Sequence, residues 1–467
     1  MYTPLEERAT NLDANLKRLE DYMADKAEIN EIHSNGVPSQ DEVWICGRVR
    51  NEASEGKLNK TSIEIEGSRH GSHGRKCTLD LKDAPSYALF PGQVVLAKGI
   101  NANGRRFMTK ELIEGIPRPL PVSKATDLME FHHSTLYQDG KALSVSVVSG
   151  PFTTSEDLSF KPMEDLIIRI RETCPDVVIM VGPFVDVTHP LMKDGDVELA
   201  DDEGNVTCHS YEQAFMKKFS YDFFDWIYGT DEDYDPDYPT NFILVPSLDD
   251  AHHDRVYPQP PMGDHQEIKS PLFDENQPLG VLKIPNSDNS NPRCRVHCMP
   301  NPCMFKINEV VFGVSSVDTL FSLSSDEISE NVPGDRLDRL AAHLIRQQSF
   351  YPMFPVPTNS SVPLDLRHLN KLNMEVTPDV LILPSKLKQF AKEIQGSMVV
   401  NPGNLTRGNK GGTFAEMHIH PMSREILENA SNAMDIDSSS NSKSNSSDSD
   451  KIEHKVAGRT KVIVRRI

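Results

Sequence analysis

Apolar positions along the first thirty residues fall at Leu5, Ala9, Leu12, Leu16, Leu19 and Met23, alternating steps of four and three that form one stripe on a helix. Thr3-Pro4-Leu5-Glu6 predicts its start, with Thr3 as N-cap, Pro4 at the first helical position and Glu6 three residues after the cap. The stripe is expected to pack on the protein's own body.

Between about 40 and 115 the period shortens. EVWICGRVR, SIEIEG, KCTLDL, QVVLAKGI and RRFMTKEL are short strand-like runs separated by Gly, Asn and Ser. Five such runs predict a small Greek-key barrel of the oligonucleotide-binding (OB) type over 39–117, preceded by a helix and linker over 1–38. A Pro-rich connector, RPLPVSK, opens the stretch 118–140. The pattern then changes to near-continuous apolar runs: ALSVSVVSG, DVVIMVG, NFILVPS, EVVFGVSS, DVLILPS and SMVVNPG. Helical segments at 163–174 and 211–229 lie between some of them, so 141–467 is expected to be an α/β body with strands buried on both faces. Most of these runs end in Gly or Ser beside a Pro, and the carboxyl ends of strands are where an open α/β sheet carries its functional crevice. MDIDSSSNSKSNSSDSDK (434–451) is too poor in apolar residues to order itself and reads as a disordered insertion, after which TKVIVRRI supplies a last strand.

Charge narrows the function. The chain carries 49 Lys and Arg against 69 Asp and Glu, a net charge of −20, which disfavours binding a nucleic-acid backbone over the whole surface. Within 41–115 the balance is 12 basic to 10 acidic residues, and the aromatics are Trp44, Tyr87, Phe90 and Phe107. A single-strand site needs a basic groove with stacking platforms, so the barrel is expected to pack against protein. No apolar run is long enough to span a bilayer, and the acidic amphipathic start has no secretory pattern. Seven cysteines in 467 residues suit free thiols in a reducing compartment.

The chemistry-bearing residues gather after the strands. In VVIMVGPFVD (177–186), a buried strand delivers Asp186, but Pro183 follows Gly182 where a metal site would place its first aspartate. Cys294, His297, Cys298 and Cys303 lack the Cys-x2-Cys knuckle of ordinary zinc sites and are expected to be unliganded. His418 and His420 would share one face of a strand, and a polar strand face is the expected reading. The loop 408–412, GNKGG, is weak evidence for phosphate binding, and no phosphate loop, dinucleotide turn or nucleophile elbow occurs.

The α/β portion resembles the calcineurin-like metallophosphoesterases, a two-layer β-sandwich flanked by helices whose active members bind two metals through Asp and His at successive strand ends. The matching positions here read VSGPF (148–152), GPFVD (182–186), VPSLDDAHHD (245–254), SFYPMFPVP (349–357) and LPSK (383–386). The resemblance implies a catalytically degenerate site whose vestiges are Gly182, Pro183, Asp186, His189, Asp249, His252 and His253, with no metal or other cofactor. GPFVDVTHP (182–190), VPSLDDAHHDRVYPQPP (245–261), NPCMFKINEVVFGVSS (301–316), RQQSFYPMFP (346–355) and NPGNLTRGNKGGTFAE (401–416) further resemble the B subunits of eukaryotic DNA polymerase alpha–primase.

That resemblance implies a nuclear, non-catalytic accessory subunit. It would bind the C-terminal domain of the polymerase's catalytic subunit and, through it, the two primase subunits, supporting primer synthesis with weak or no direct contact to nucleic acid or membrane. Phe152, Phe184, Tyr257, Pro258, Gln259, Pro260 and Pro261 are the expected partner anchors. The family's N-terminal helical module and phosphorylatable linker are not expected in this chain, which puts recruitment through that module in doubt. The alternatives are an active metal-dependent phosphoesterase or nuclease, as some archaeal polymerase small subunits resemble, and a single-strand binder acting through the barrel.

Overall fold

The computed structural model describes residues 3–53, 56–192, 196–200, 205–228, 238–262, 296–358, 360–437 and 451–467. Two compact units emerge: Met1–Pro119 with Thr319–Thr377, and Leu120–Asp318 with Pro378–Ile467. The sequence boundaries follow chain order, with everything after 141 in one domain, whereas contacts group 319–377 with the barrel.

In the first unit, all five alternating runs become strands of one closed barrel, in the order Ser39–Asn51, Ile63–Glu66, Lys76–Asp80, Arg106–Ile113, Val94–Asn101. Its pairs are antiparallel apart from Lys76–Asp80 beside Arg106–Ile113. Alternation puts Val43, Ile45, Ile63, Ile65, Leu79, Val95 and Phe107 into one interior cluster. The helix Leu5–Lys26 begins at Pro4, without a side-chain cap. Thr3 is therefore not the N-cap; the missing first-turn donor at proline makes the start there inexpensive. The stripe is used at its far end, where Leu16, Leu19 and Met23 cluster with Cys46, Val94 and Leu96 of the barrel, while Leu5 stays exposed.

Residues 319–377 add the helices Thr319–Asp326 and Arg336–Arg346, and the short strand Ile328–Glu330 pairs with Tyr87–Leu89. Gln347 does the joining that a strand would otherwise do. Its side chain accepts from the Val94 N–H and donates to the Val94 carbonyl, both at 2.9 Å.

In the second unit the six apolar runs all form parallel strands. One sheet has the order Val296–Cys298, Asn241–Val245, Val177–Val181, Leu143–Ser149, Thr413–Ile419, Thr460–Arg466, its last two members antiparallel to their neighbours. The other runs Cys303–Ile307, Val310–Val314, Val380–Ile382, Ser397–Asn401, Phe390–Ile394, with antiparallel outer strands. Val147, Ile179, Val181 and Val245 of the first sheet meet Phe312, Val314, Ile382 and Val400 of the second in one interlayer core. On the first sheet's other face, Val178, Met180, Phe242 and Leu244 are covered by the helix Lys161–Thr173 and by the helical stretch 211–228. That stretch passes through a π-helical run, Met216–Phe223, between two short α-helical pieces. Of the stretch expected to be disordered, 434–437 closes the helix Arg424–Asp437 and Lys451 opens the strand Lys451–Glu453; 438–450 lie outside the described residues.

A crevice whose polar groups hold the backbone

Strand ends of the second unit converge because their loops bond to one another. Val187 donates to the Asp249 carbonyl and Ala251 to the Val185 carbonyl, both at 2.9 Å, which zips the loop after Val177–Val181 to the loop after Asn241–Val245. Asp186 and Asp250 lie opposite each other in this bridge. The Asp250 carboxylate is buried and accepts the N–H groups of Phe184 at 2.5 Å and Ser247 at 2.7 Å. Burial pushes its pKa up to about 7 against the lowering pull of those N–H groups.

Gly182 is required by this packing. A Cβ there would lie 2.3 Å from Asp250 Oδ2, an atom already fixed by the Ser247 N–H. Gly150 is equally tight, since its Cβ would sit 2.1 Å from the Pro183 carbonyl oxygen.

Each vestigial residue takes a structural place. Asp186 receives the Thr188 N–H and hydroxyl at 2.8 and 2.7 Å, closing its own turn. His189 is buried; its Nδ1 accepts from Leu191 N–H at 3.1 Å, so Nε2 carries the proton and donates to the Thr154 carbonyl at 2.6 Å. Asp249 is half-buried 3.8 Å from the Arg255 guanidinium, and burial followed by the nearby Asp186 charge raises its pKa. His253 donates from Nε2 to the Pro260 carbonyl at 2.8 Å. His252 packs on Phe215 with ring centroids 4.4 Å apart, and burial drives its pKa down to about 3. Neither ring nitrogen of His252 has a partner among the described residues.

These residues do not fit a two-metal clamp. The bridging position is a proline, the buried carboxylate is occupied by backbone donors, and both His189 nitrogens are engaged. Among the described residues no three His, Cys, Asp or Glu side chains gather closely enough to hold a metal ion. Cys298 and Cys303 belong to no such gathering, and burial pushes both thiols up, Cys298 to about 12. Cys294 lies outside the described residues. His418 is on the strand Thr413–Ile419 and His420 just beyond it, next to Glu416, which is bonded by Arg169 and Arg465.

The expected anchors divide in two. Phe152 and Phe184 are buried and stacked at 5.5 Å in the core above the first sheet. They are not surface residues, because the crevice loops fold their aromatics inward against Phe215 and Phe219. Tyr257 and Gln259 are buried as well: Tyr257 Oη lies 3.0 Å from Ser315 Oγ, and Gln259 Oε1 accepts from Asn301 Nδ2 at 2.7 Å. Pro258 and Pro261 are half-buried and Pro260 is exposed, so the prolines are the surface part of that set.

Asn301 and Asn401 are the residues sequence reasoning missed. Asn301 Oδ1 accepts from Ser316 N–H, and Asn401 Oδ1 accepts from Ser385 and Gly403 N–H groups. Both stand before Pro in the strings 301–316 and 401–416, and the Asn-Pro pairs were their one visible signal. A second tie lies beyond the crevice, where Ser123 Oγ and Asp379 Oδ2 each sit 2.8 Å from opposite nitrogens of the buried His454. Asp379 Oδ2 also accepts the Val311 N–H, which fixes the strand Val122–Lys124 to the sheet region.

Comparison with known proteins agrees with this architecture. Residues 9–115 match the family model for the OB domain of the DNA polymerase alpha B subunit. Residues 145–392, more than half of the chain, match the model for the DNA polymerase alpha/epsilon B subunit. The DNA polymerase alpha B subunit of Rattus norvegicus is 34% identical over 82% of this chain and 55% of its own length. That of Schizosaccharomyces pombe is 32% identical over 84% of this chain and 62% of its own. The chain thus spans little more than half the length of these relatives. Among solved structures, a novel archaeal phosphodiesterase aligns with 61% of this chain and 95% of its own at 12% identity, with a TM-score of 0.24 that carries no weight for the fold. With an OB barrel closed as its runs predict, and a family match over 145–392 that takes in strands of both sheets of the second unit, this chain belongs to the family of DNA polymerase alpha/epsilon B subunits.

Proposed function

We propose that the chain is a non-catalytic accessory subunit that binds the C-terminal domain of the DNA polymerase alpha catalytic subunit. Through it the chain joins the two primase subunits and supports primer synthesis in the nucleus. Its second unit is a calcineurin-like phosphoesterase scaffold whose crevice has become a docking body. The observation that carries this reading is the use of the crevice donors: Asp250, Asp186 and His189 all bond the chain's own loops. A metal-dependent hydrolase needs such groups free to take a cation.

The rim of the crevice offers apolar contact area. Val187 is 40% exposed and Leu191 46%, with Pro190 and Pro260 also at the surface. Covering such side chains completely stabilises by about 1.5–3 kcal/mol each. Co-expression with the C-terminal domain of a polymerase alpha catalytic subunit is expected to yield a one-to-one complex. Val187→Asp with Leu191→Asp is expected to weaken it by about tenfold or more. Separate elution of the two unmodified chains would overturn the proposed role; full binding by the double variant would overturn the rim alone.

A further inference from the structure

The barrel unit carries a second concave feature, remote in chain and chemistry from the strand-end loops. A groove of about 820 Å³ is lined by Arg48, Arg50 and Asn51 of the strand Ser39–Asn51, by Lys57 and Leu58, and by the segment 354–358. That volume lies within the roughly 300–1,000 Å³ of ligand pockets. Leu58, Phe354 and Val356 give it an apolar side, and Arg48, Arg50 and Lys57 a basic one.

The three cations are not equally committed. Arg50 is shared between Glu64 and Glu66, each at 3.5 Å. Arg48 donates to the Leu12 carbonyl at 2.7 Å and has the Phe354 ring centroid 5.8 Å from its guanidinium carbon. Among the described residues, neither Arg48 nor Lys57 has a carboxylate within ion-pair distance. Burial pushes the Arg48 pKa down to about 10, against the raising effect of the more distant Glu66 and Asp13. A desolvated guanidinium without a counter-charge gains from an incoming anion.

We propose that this groove binds an extended acidic peptide of a protein partner, its carboxylates on Arg48 and Lys57 and an apolar side chain against Phe354 and Val356. Charge favours a peptide over a single nucleic-acid strand. Glu66 and Asp326 line the same groove and would repel a backbone charged at every nucleotide. Phe354 is also the one aromatic side chain among the lining residues, whereas strand binding uses successive stacking platforms. A peptide can space its carboxylates to meet two cations and avoid two acids.

The test is fluorescence anisotropy on the full chain with three labelled probes: the peptide Asp-Leu-Asp-Phe-Glu-Leu, its counterpart with Lys for each acid, and an oligo(dT). The acidic peptide is expected to saturate and the Lys peptide not to bind. Lys57→Glu and Arg48→Gln should each weaken acidic-peptide binding by about fivefold or more. Lys57 is exposed, so that variant stays informative even if Arg48→Gln lowers the melting temperature. The proposal is overturned if the acidic peptide fails to saturate, if Lys57→Glu binds it as well as the parent, or if oligo(dT) binds more tightly and loses affinity in Lys57→Glu.

Discussion

Asp250 adds a buried side-chain tie to two loops already zipped by the Val187 and Ala251 backbone bonds. Asp250→Ala leaves the buried N–H groups of Phe184 and Ser247 without their acceptor, and the variant is expected to lose about 1–3 kcal/mol in urea unfolding at pH 5. The parent's pH dependence has a definite sign. The folded pKa of about 7 lies above the ordinary carboxylate value of 3.8, so this group's contribution is complete below about pH 4 and is lost as pH rises to 7. Asp250→Asn should remove that decline, and an unchanged slope between pH 4 and 7 would contradict the assignment. His252 offers the opposite experiment. Its ring is desolvated against Phe215 with no partner among the described residues, so His252→Leu is expected to raise stability by about 1 kcal/mol, read as a higher urea midpoint. Little of this was legible beforehand. The sequence marks Asp186 and Asp249 as strongly as Asp250, and only the register of the loop bridge decides which carboxylate turns inward.

At the level of elements, hydrophobic period was a good guide and joining chemistry was not. Period two in 42–50, 62–67, 76–81, 93–100 and 105–112 was enough for the barrel, because each alternate residue had to enter one small interior. The stripe of the first helix was also readable, yet not that only Leu16, Leu19 and Met23 would be buried. Leu19→Ala is expected to cost about 2–5 kcal/mol by thermal or urea unfolding, whereas Leu5→Ala, at an 80% exposed position, should be close to neutral. Gln347 had no periodic signature. It satisfies both backbone groups of Val94 from outside the barrel, so Gln347→Ala leaves a buried N–H and C=O unpaired and should cost about 1–3 kcal/mol; a melt matching the parent would show that water replaces the amide.

Across the whole molecule, buried carboxylates set an acid limit. Burial raises the Glu309 pKa, but hydrogen bonds from the buried His132 and from Arg459 overcome it and hold the group down at about 2. A depressed carboxylate contributes above its unfolded value near 4.5 and loses that contribution as pH falls toward 2, on the order of 3 kcal/mol for this residue. Glu309→Gln should flatten the acid limb of the stability curve, measured by denaturant midpoints from pH 5 to 2.5. The layered α/β body was readable from six apolar runs, but the grouping of 319–377 with the barrel was not, since Gln347 and the strand Ile328–Glu330 make that association through single amides and three-residue pairing. The same blindness hid the state of the crevice: residue types there still resemble ligands, and their hydrogen bonds alone reveal other employment. Manganese titration of the purified chain by calorimetry, with phosphodiester hydrolysis followed in parallel, tests this most directly. Binding at less than stoichiometric level and no hydrolysis is the predicted result; two tightly bound ions per chain with turnover would contradict it.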